Sequence, residues 1–284
     1  MKKQKLAVVF AALLTMVGFS SCLNSEDDGI TEIGDYAEVS TSTFGSTSFN
    51  SMYGWVCVPD KSLTTMPESE LAQIFYRYED ADLQSIMSGT STSKNLPVTL
   101  LQDPIYLKRL DCSTTTLPEE TKTVSIYSLG EGDALVWGNN KYLILRPTIF
   151  LKKGTTSENL STELANHSLR LYYLSSEDDE AAKTLKLYLR YEISGIGGSS
   201  TDEADDKESW ASDYTIQYPR LSYVNLQPII SMYKSTHGGK EPEKVIVEYE
   251  YNNSNNSTSS VPTIAKKQTK TVTYSLYTET SSNN

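Results

Sequence analysis

Polar and apolar positions alternate with a period of two over much of this chain. In TLKLYLRYEI, residues 184–193, Leu185, Leu187, Leu189 and Tyr191 point one way. Lys186, Tyr188, Arg190 and Glu192 point the other, which predicts a half-buried antiparallel strand. EKVIVEYEY (243–251) repeats the pattern with Val245, Val247, Tyr249 and Tyr251, and KTVTYSLYT (270–278) with Val272, Tyr274 and Leu276. LAQIFYRYED (71–80), PIYLKRL (104–110), KTVSIYSL (122–129), KYLILRPTIFLK (141–152) and HSLRLYYL (167–174) read as further strands. Helix signals are few: turns within PESELAQI and EDADLQSIMSG, and a start at Pro228 in LQPIISMYKS. The chain therefore predicts an all-β protein. Its 19 tyrosines suit pleated surfaces on which a ring packs and a hydroxyl stays wet.

Polar stretches divide the strands. SSEDDEAAK (175–183) predicts a hairpin link, SGIGGSSTDEADDKESWAS (194–212) a long acidic loop, and NNSNNSTSSVPT (252–263) the gap between the last two strands. DCSTTTLPEETK (111–122) marks a break between two parts.

The first 28 residues carry a different message. Lys2, Lys3 and Lys5 precede a 14-residue apolar run, Leu6 to Phe19, interrupted only by Thr15. That length suits a signal peptide and is short of the roughly 20 residues a spanning helix needs. Ser20, Ser21 and Cys22 follow, and the pattern resembles the lipobox of bacterial lipoproteins, in which the cysteine is acylated and becomes the first mature residue. Several acyl chains, at about 0.8 kcal/mol per buried CH2, make a stable anchor. Glu26, Asp27 and Asp28 come next and resemble the acidic signal of surface-exposed Bacteroidetes lipoproteins; a solvated tether is the plainer reading of the same acids. The expected address is the outer membrane, on its outward face.

Charge narrows the partners. Removing residues 1–21 takes away three lysines and no acid, leaving 22 basic against 36 acidic residues and a net charge of −14. Nucleic acid is disfavoured, since binding phosphates needs clustered Lys and Arg. Cys57 and Cys112 are the other two cysteines. An oxidising envelope could pair them, closing a loop worth roughly 4 kcal/mol in the entropic account; alternatively Cys57, in GWVCVPD, is a small core residue.

The layout resembles the NigD-like lipoproteins of Bacteroidetes. The residues that carry the resemblance are SCLNSEDDG, GDYAEVSTSTFG and GWVCVPD, then LAQIFYRYED, and in the second half DALVWGNNKYLILRPTIFL, LKLYLRYE and LSYVNLQPI. It implies a signal peptide over 1–21, an acidic tether over 22–34, an N-terminal OB-like barrel over 35–115 and a C-terminal antiparallel β-sandwich over 116–284. The family's name comes from an association with bacteriocin genes, and it brings no catalytic residues to carry over.

Candidate chemistry is sparse. His167 and His237 stand in separate segments, without a HExxH or Cys-x-x-Cys arrangement, so strand surface or loop is the expected place for both. DEADD (202–206) lacks EF-hand spacing and reads as a solvated loop. No catalytic residue, metal site or cofactor is expected. Tyr53 with Trp55, and Tyr76 with Tyr78, lie at i, i+2 spacing on barrel strands. Either they stack on a ligand or they fill the barrel core. Three functions follow: a non-enzymatic surface lipoprotein that binds a protein or supports an envelope assembly, which these features favour; a glycan-binding module; and a hydrolase with paired carboxylates.

Overall fold

A computed structural model describes residues 29–43, 45–63, 66–129, 135–196, 209–252 and 261–277. Among them run eighteen strands and three short α-helices. The chain divides into two compact units, Met1–Lys108 and Arg109–Asn284.

The first unit is an OB-like barrel. Its strands are β1 (Ile30–Thr41), β2 (Thr47–Ser51), β3 (Val56–Pro59), β4 (Leu71–Glu79) and β5 (Asn95–Leu100). They run in the order β1-β2-β3-β5-β4, and β4 pairs back onto β1, which removes the open edges. Helix α1 (Asp80–Met87) follows β4, and β6 (Ile105–Tyr106) extends the β4 ladder. Asp80 and Asp82 sit in the first turn of α1, where they favour the positive end of the helix dipole. Ala37, Phe49, Cys57, Ala72, Ile74, Tyr76, Leu96 and Val98 fill the interior. Gly34 is required on β1 by its neighbour: a Cβ there would lie 2.7 Å from the ring of Phe75, which crosses the strand.

After β7 (Lys108–Arg109) comes the sandwich. One of its sheets orders β18 (Lys267–Ser275), β17 (Lys244–Asn252), β14 (Thr184–Ile193), β13 (His167–Tyr173) and β8 (Cys112–Ser113). The remaining strands form two smaller sheets, one ordered β10 (Leu135–Trp137), β11 (Tyr142–Leu145), β16 (Ser222–Asn225) and β7, the other β15 (Tyr214–Pro219), β12 (Pro147–Lys152) and β9 (Ser128–Leu129). Pro147 starts β12 and Pro219 ends β15, at bends that divide what would otherwise be two long strands. Helices α2 (Leu160–Ala165) and α3 (Gln227–Thr236) lie in the connections; Pro228 stands in the first turn of α3, as its sequence predicts. Nothing in the alternation of residues 156–166 announced α2.

The periodic strands place their residues as read. Leu185, Leu187, Leu189 and Tyr191 are all core, against Leu169, Leu171, Val245, Val247 and Tyr249. The link over 175–183 does join an antiparallel pair, β13 and β14. Two features of β14 differ from expectation. It pairs with β17 in parallel, because the chain passes through the smaller sheets between them. Its second face is also covered rather than solvated: Tyr188 and Arg190 are buried. Arg190 donates to Glu248 at 2.8 Å and lies 3.7 Å from Glu250, and Lys186 stands 4.7 Å above the Tyr188 ring. Lys267 completes this lattice, donating to Glu250 and to the backbone oxygens of Glu120 (2.6 Å) and Thr123 (3.0 Å). Long side chains bury their stems here and pair their ends.

Candidate functional site

Cys22, Glu26, Asp27 and Asp28, together with the acidic residues 202–206, lie outside the described residues. Within the barrel, the four aromatic candidates separate into different roles. The turn between β2 and β3 spans residues 51–55. The Ser51 N–H donates to the Trp55 carbonyl at 3.0 Å and the Gly54 N–H to the Ser51 carbonyl at 3.2 Å. Gly54 holds φ at +95°, a conformation L side chains rarely adopt. This turn presents Tyr53, 58% exposed, against the half-buried Trp55, with ring centroids 5.1 Å apart and planes 20° from parallel. One face of Tyr53 rests on the indole; its exposure leaves the ring open to solvent.

Tyr76 is fully buried, so its ring is a core contact and the stacking role is corrected for this residue. It faces inward from β4 opposite Ile33 of β1 and packs with the barrel core. Tyr78, two residues on, is half-buried, with its ring 6.0 Å from that of Tyr76. Burial raises its phenol, with Thr31 and Asp80 as polar neighbours.

The disulfide is also corrected: Cys57 and Cys112 are both free thiols. Cys57 points into the barrel core beside Phe49 and Leu96, whereas Cys112 packs against the core of the sandwich. Each is satisfied as a small apolar residue of its own unit, and burial pushes the two thiols up to about 11 and about 12.

Around Cys57 gathers a polar group that reading by residue type had missed. Asp35 lies on β1 in phase with Ile33 and Ala37, on the inward face. Its carboxyl is pushed up to about 6, chiefly by burial, against the lowering effect of hydrogen bonds from the Ser51 hydroxyl and the Tyr36 backbone. Ser51 Oγ donates to Asp35 Oδ2 at 3.2 Å and accepts the Tyr53 N–H at 3.2 Å, so the carboxyl and the aromatic turn share one hydroxyl. Asp35 acts on Cys57 and Tyr76 through its charge. The Trp55 indole N–H and the Tyr76 hydroxyl have no partner at hydrogen-bonding geometry; the Cys57 sulfur beside them is a weak acceptor. The signal that could have found this group was Asp35 on the apolar phase of GDYAEV.

The sandwich holds two other polar clusters. His167, expected at a strand surface, is buried at the start of β13. Its Nε2 donates to Glu163 at 3.0 Å and its Nδ1 accepts from the Tyr191 hydroxyl at 2.5 Å, while Glu163 Oε1 also accepts the Lys152 N–H. Burial holds the imidazole below its usual value, opposed by Glu163. In the second cluster, Asp178 accepts the Tyr173 hydroxyl at 2.7 Å and the Lys186 N–H at 3.0 Å, with its carboxyl raised by burial. His237 Nε2 stands 4.0 Å from it, and its ring stacks on Tyr233 at 4.1 Å. Both clusters tie connecting segments to strands. Among the described residues no group of three or more His, Cys, Asp and Glu is arranged to hold a metal ion, and no helix is long and apolar enough to cross a membrane.

Compared with models of known families, the chain matches none. Nor does any curated protein match it. Among solved structures it is similar to a protein of Bacteroides fragilis provisionally named a lipoprotein, with a TM-score of 0.64 and 17% identity over 88% of this chain and 99% of that one. It is also similar to an uncharacterized protein of Parabacteroides merdae (TM-score 0.49, 15% identity, 87% and 100% covered). A NigD-like immunity protein of Bacteroides caccae gives a TM-score of 0.43 at 11% identity, with 82% and 92% covered. The first of these likenesses is one of fold: the two-part, all-β architecture is shared with a solved protein.

Proposed function

We propose that this chain is a lipid-anchored, non-enzymatic binding protein of the outer membrane, displayed on the cell surface and distantly related to the NigD-like lipoproteins. The anchor rests on the sequence of residues 1–28, with Cys22 as the acylated residue. A fold shared with a protein provisionally named a lipoprotein supports it. The binding role rests on one observation, the exposed Tyr53 ring held on Trp55 at a hydrogen-bonded barrel turn. Single exposed rings are ordinary on a protein surface, and Tyr277 is as exposed; what distinguishes Tyr53 is that its ring is held against Trp55 in a closed turn, next to the exposed Met52. Binding is favoured over hydrolysis because the described carboxyls with raised pKa, Asp35 and Asp178, are each held by their own hydroxyl and backbone donors.

The anchor is tested in cells fed radioactive palmitate. The wild-type chain should take up label and fractionate with membranes, and Cys22→Ala should do neither. Label retained by Cys22→Ala would overturn the anchor. Replacing Glu26, Asp27 and Asp28 with alanine should lower protease accessibility on intact cells while the label persists. Unchanged accessibility would remove those acids from surface display.

A further inference from the structure

The Tyr53 turn and Asp35 together suggest what is bound. We propose that this rim of the barrel takes the face of a neutral sugar ring, Tyr53 stacking on its C–H face and Asp35 accepting a hydrogen bond from its hydroxyls. The proposal rests on the reading of this chain as a binding protein and names the ligand class for that site.

Four observations carry it. Tyr53 is backed by Trp55 at 5.1 Å and 20°, so a single aromatic face is open, a platform rather than a cage. Flat rings with one apolar face fit such a platform, whereas a cation is best held where several ring faces surround it. The platform is preorganised. Ser51 Oγ accepts the Tyr53 N–H at 3.2 Å, and the turn is closed by the bonds from Ser51 to Trp55 and from Gly54 to Ser51, so little freedom is lost on binding.

Next, the same Ser51 hydroxyl donates to Asp35 at 3.2 Å, which places an acceptor of hydrogen bonds two links from the stacked ring. A sugar hydroxyl can donate to that carboxyl as Ser51 does. Finally, charge excludes the alternatives. Asp35 repels phosphate, sulfate and uronate groups, and so does the net charge of −14 that remains once residues 1–21 are removed. A lysine or arginine side chain would have to shed water for a carboxyl that is itself desolvated inside the barrel and shares its charge with Ser51 and the Tyr36 backbone. A neutral hydroxyl sheds far less tightly held water than a cation and so bears a smaller cost.

The test is a tryptophan-fluorescence titration of the membrane-extracted, detergent-solubilised protein, in which Trp55 reports the site. The probes are maltohexaose, cellohexaose, xylohexaose, mannohexaose and laminarihexaose, with polygalacturonate and a decalysine peptide as charged counterparts. At least one neutral oligosaccharide should bind saturably. Tyr53→Ala should weaken it tenfold or more, Asp35→Ala should weaken it by a similar factor, and Tyr127→Ala, an exposed tyrosine of the sandwich, should leave it unchanged.

No binding by any neutral probe, or binding that Tyr53→Ala leaves intact, would overturn the proposal. Tyr53-dependent binding of decalysine or polygalacturonate alone would also overturn it, and so would a Tyr53-dependent complex with an envelope protein and none with sugars. Those last outcomes would leave the binding-protein reading standing. Loss of palmitate label from the wild-type chain would sink the anchor without touching the sugar site.

Discussion

The two units each hold a tyrosine deep in a core beside ionisable neighbours, and they treat it differently. In the sandwich, Tyr191 is matched: its hydroxyl donates to His167 Nδ1 at 2.5 Å and has the Phe150 carbonyl at 3.2 Å as a second acceptor. His167 in turn is satisfied by Glu163. Protonating the imidazole reverses the sense of that chain, with Nδ1 then donating to Tyr191 and Tyr191 to Phe150, and sets a charge where burial disfavours it. In the barrel, the Tyr76 hydroxyl and the Trp55 indole N–H have only the weakly accepting Cys57 sulfur beside them, and Asp35 nearby is costly to ionise. A fully satisfied network rigidifies a fold. Unmatched groups are not peculiar to the barrel, since the Trp137 indole N–H and the Tyr233 hydroxyl of the sandwich are unmatched too, but those of the barrel lie beside an exposed aromatic turn.

That contrast can be broken by mutation, beginning with the largest effects. Tyr76→Ala and Tyr191→Ala should each cost about 3–5 kcal/mol, because both rings are core. Urea denaturation read by tryptophan fluorescence measures this; a Tyr76→Ala protein of unchanged stability would mean that its ring is not a core contact. Removing only the hydroxyls is sharper. Tyr191→Phe should cost about 1–3 kcal/mol by stranding His167 Nδ1, whereas Tyr76→Phe should be neutral or slightly stabilising. Equal losses in the two variants would erase the distinction between matched and unmatched clusters.

Acid should separate the units as well. The folded-state pKa of Asp35 is raised, so its contribution is fully present below about 3.9, the unfolded value, and is lost as pH rises through about 6. Barrel stability should therefore fall by about 1–3 kcal/mol from pH 4 to pH 7, water at the rim screening part of the charge, and Asp35→Asn should flatten the slope. His167 is held low, so its contribution is present above about 6.5 and lost as pH falls below that. Hydrogen exchange at the two pH values, read separately for barrel and sandwich strands, checks the opposite signs; slopes of the same sign would refute the assignment. The smallest effect is that of Tyr53→Ala, which should change stability by no more than about 0.5 kcal/mol. A larger loss would make the exposed ring a structural element and weaken its claim as a contact.

Much of the fold was legible from period alone. Leu185, Leu187, Leu189 and Tyr191 reached the core because a residue's face in a strand follows from its parity, a local property of the backbone. The helix start at Pro228 was equally local. Short helix α2 escaped because six residues give too little periodicity to read, and its Glu163 is fixed by a distant backbone N–H and a histidine.

What the chain determined by itself, then, was strand content, the parity of each strand and the candidate aromatic positions. What only the tertiary structure decided was which of those positions meet water. Tyr76 and Tyr53 are both tyrosines near barrel strands, yet barrel closure by β1 and β4 sealed the first inside, and a glycine turn turned the second outward. The same closure placed Asp35 on an inward face and Cys57 in the barrel core, while Cys112 packs against the core of the other unit. Register and closure couple residues far apart in sequence, and such couplings depend on the summed packing of the whole unit, which no local window of residues contains.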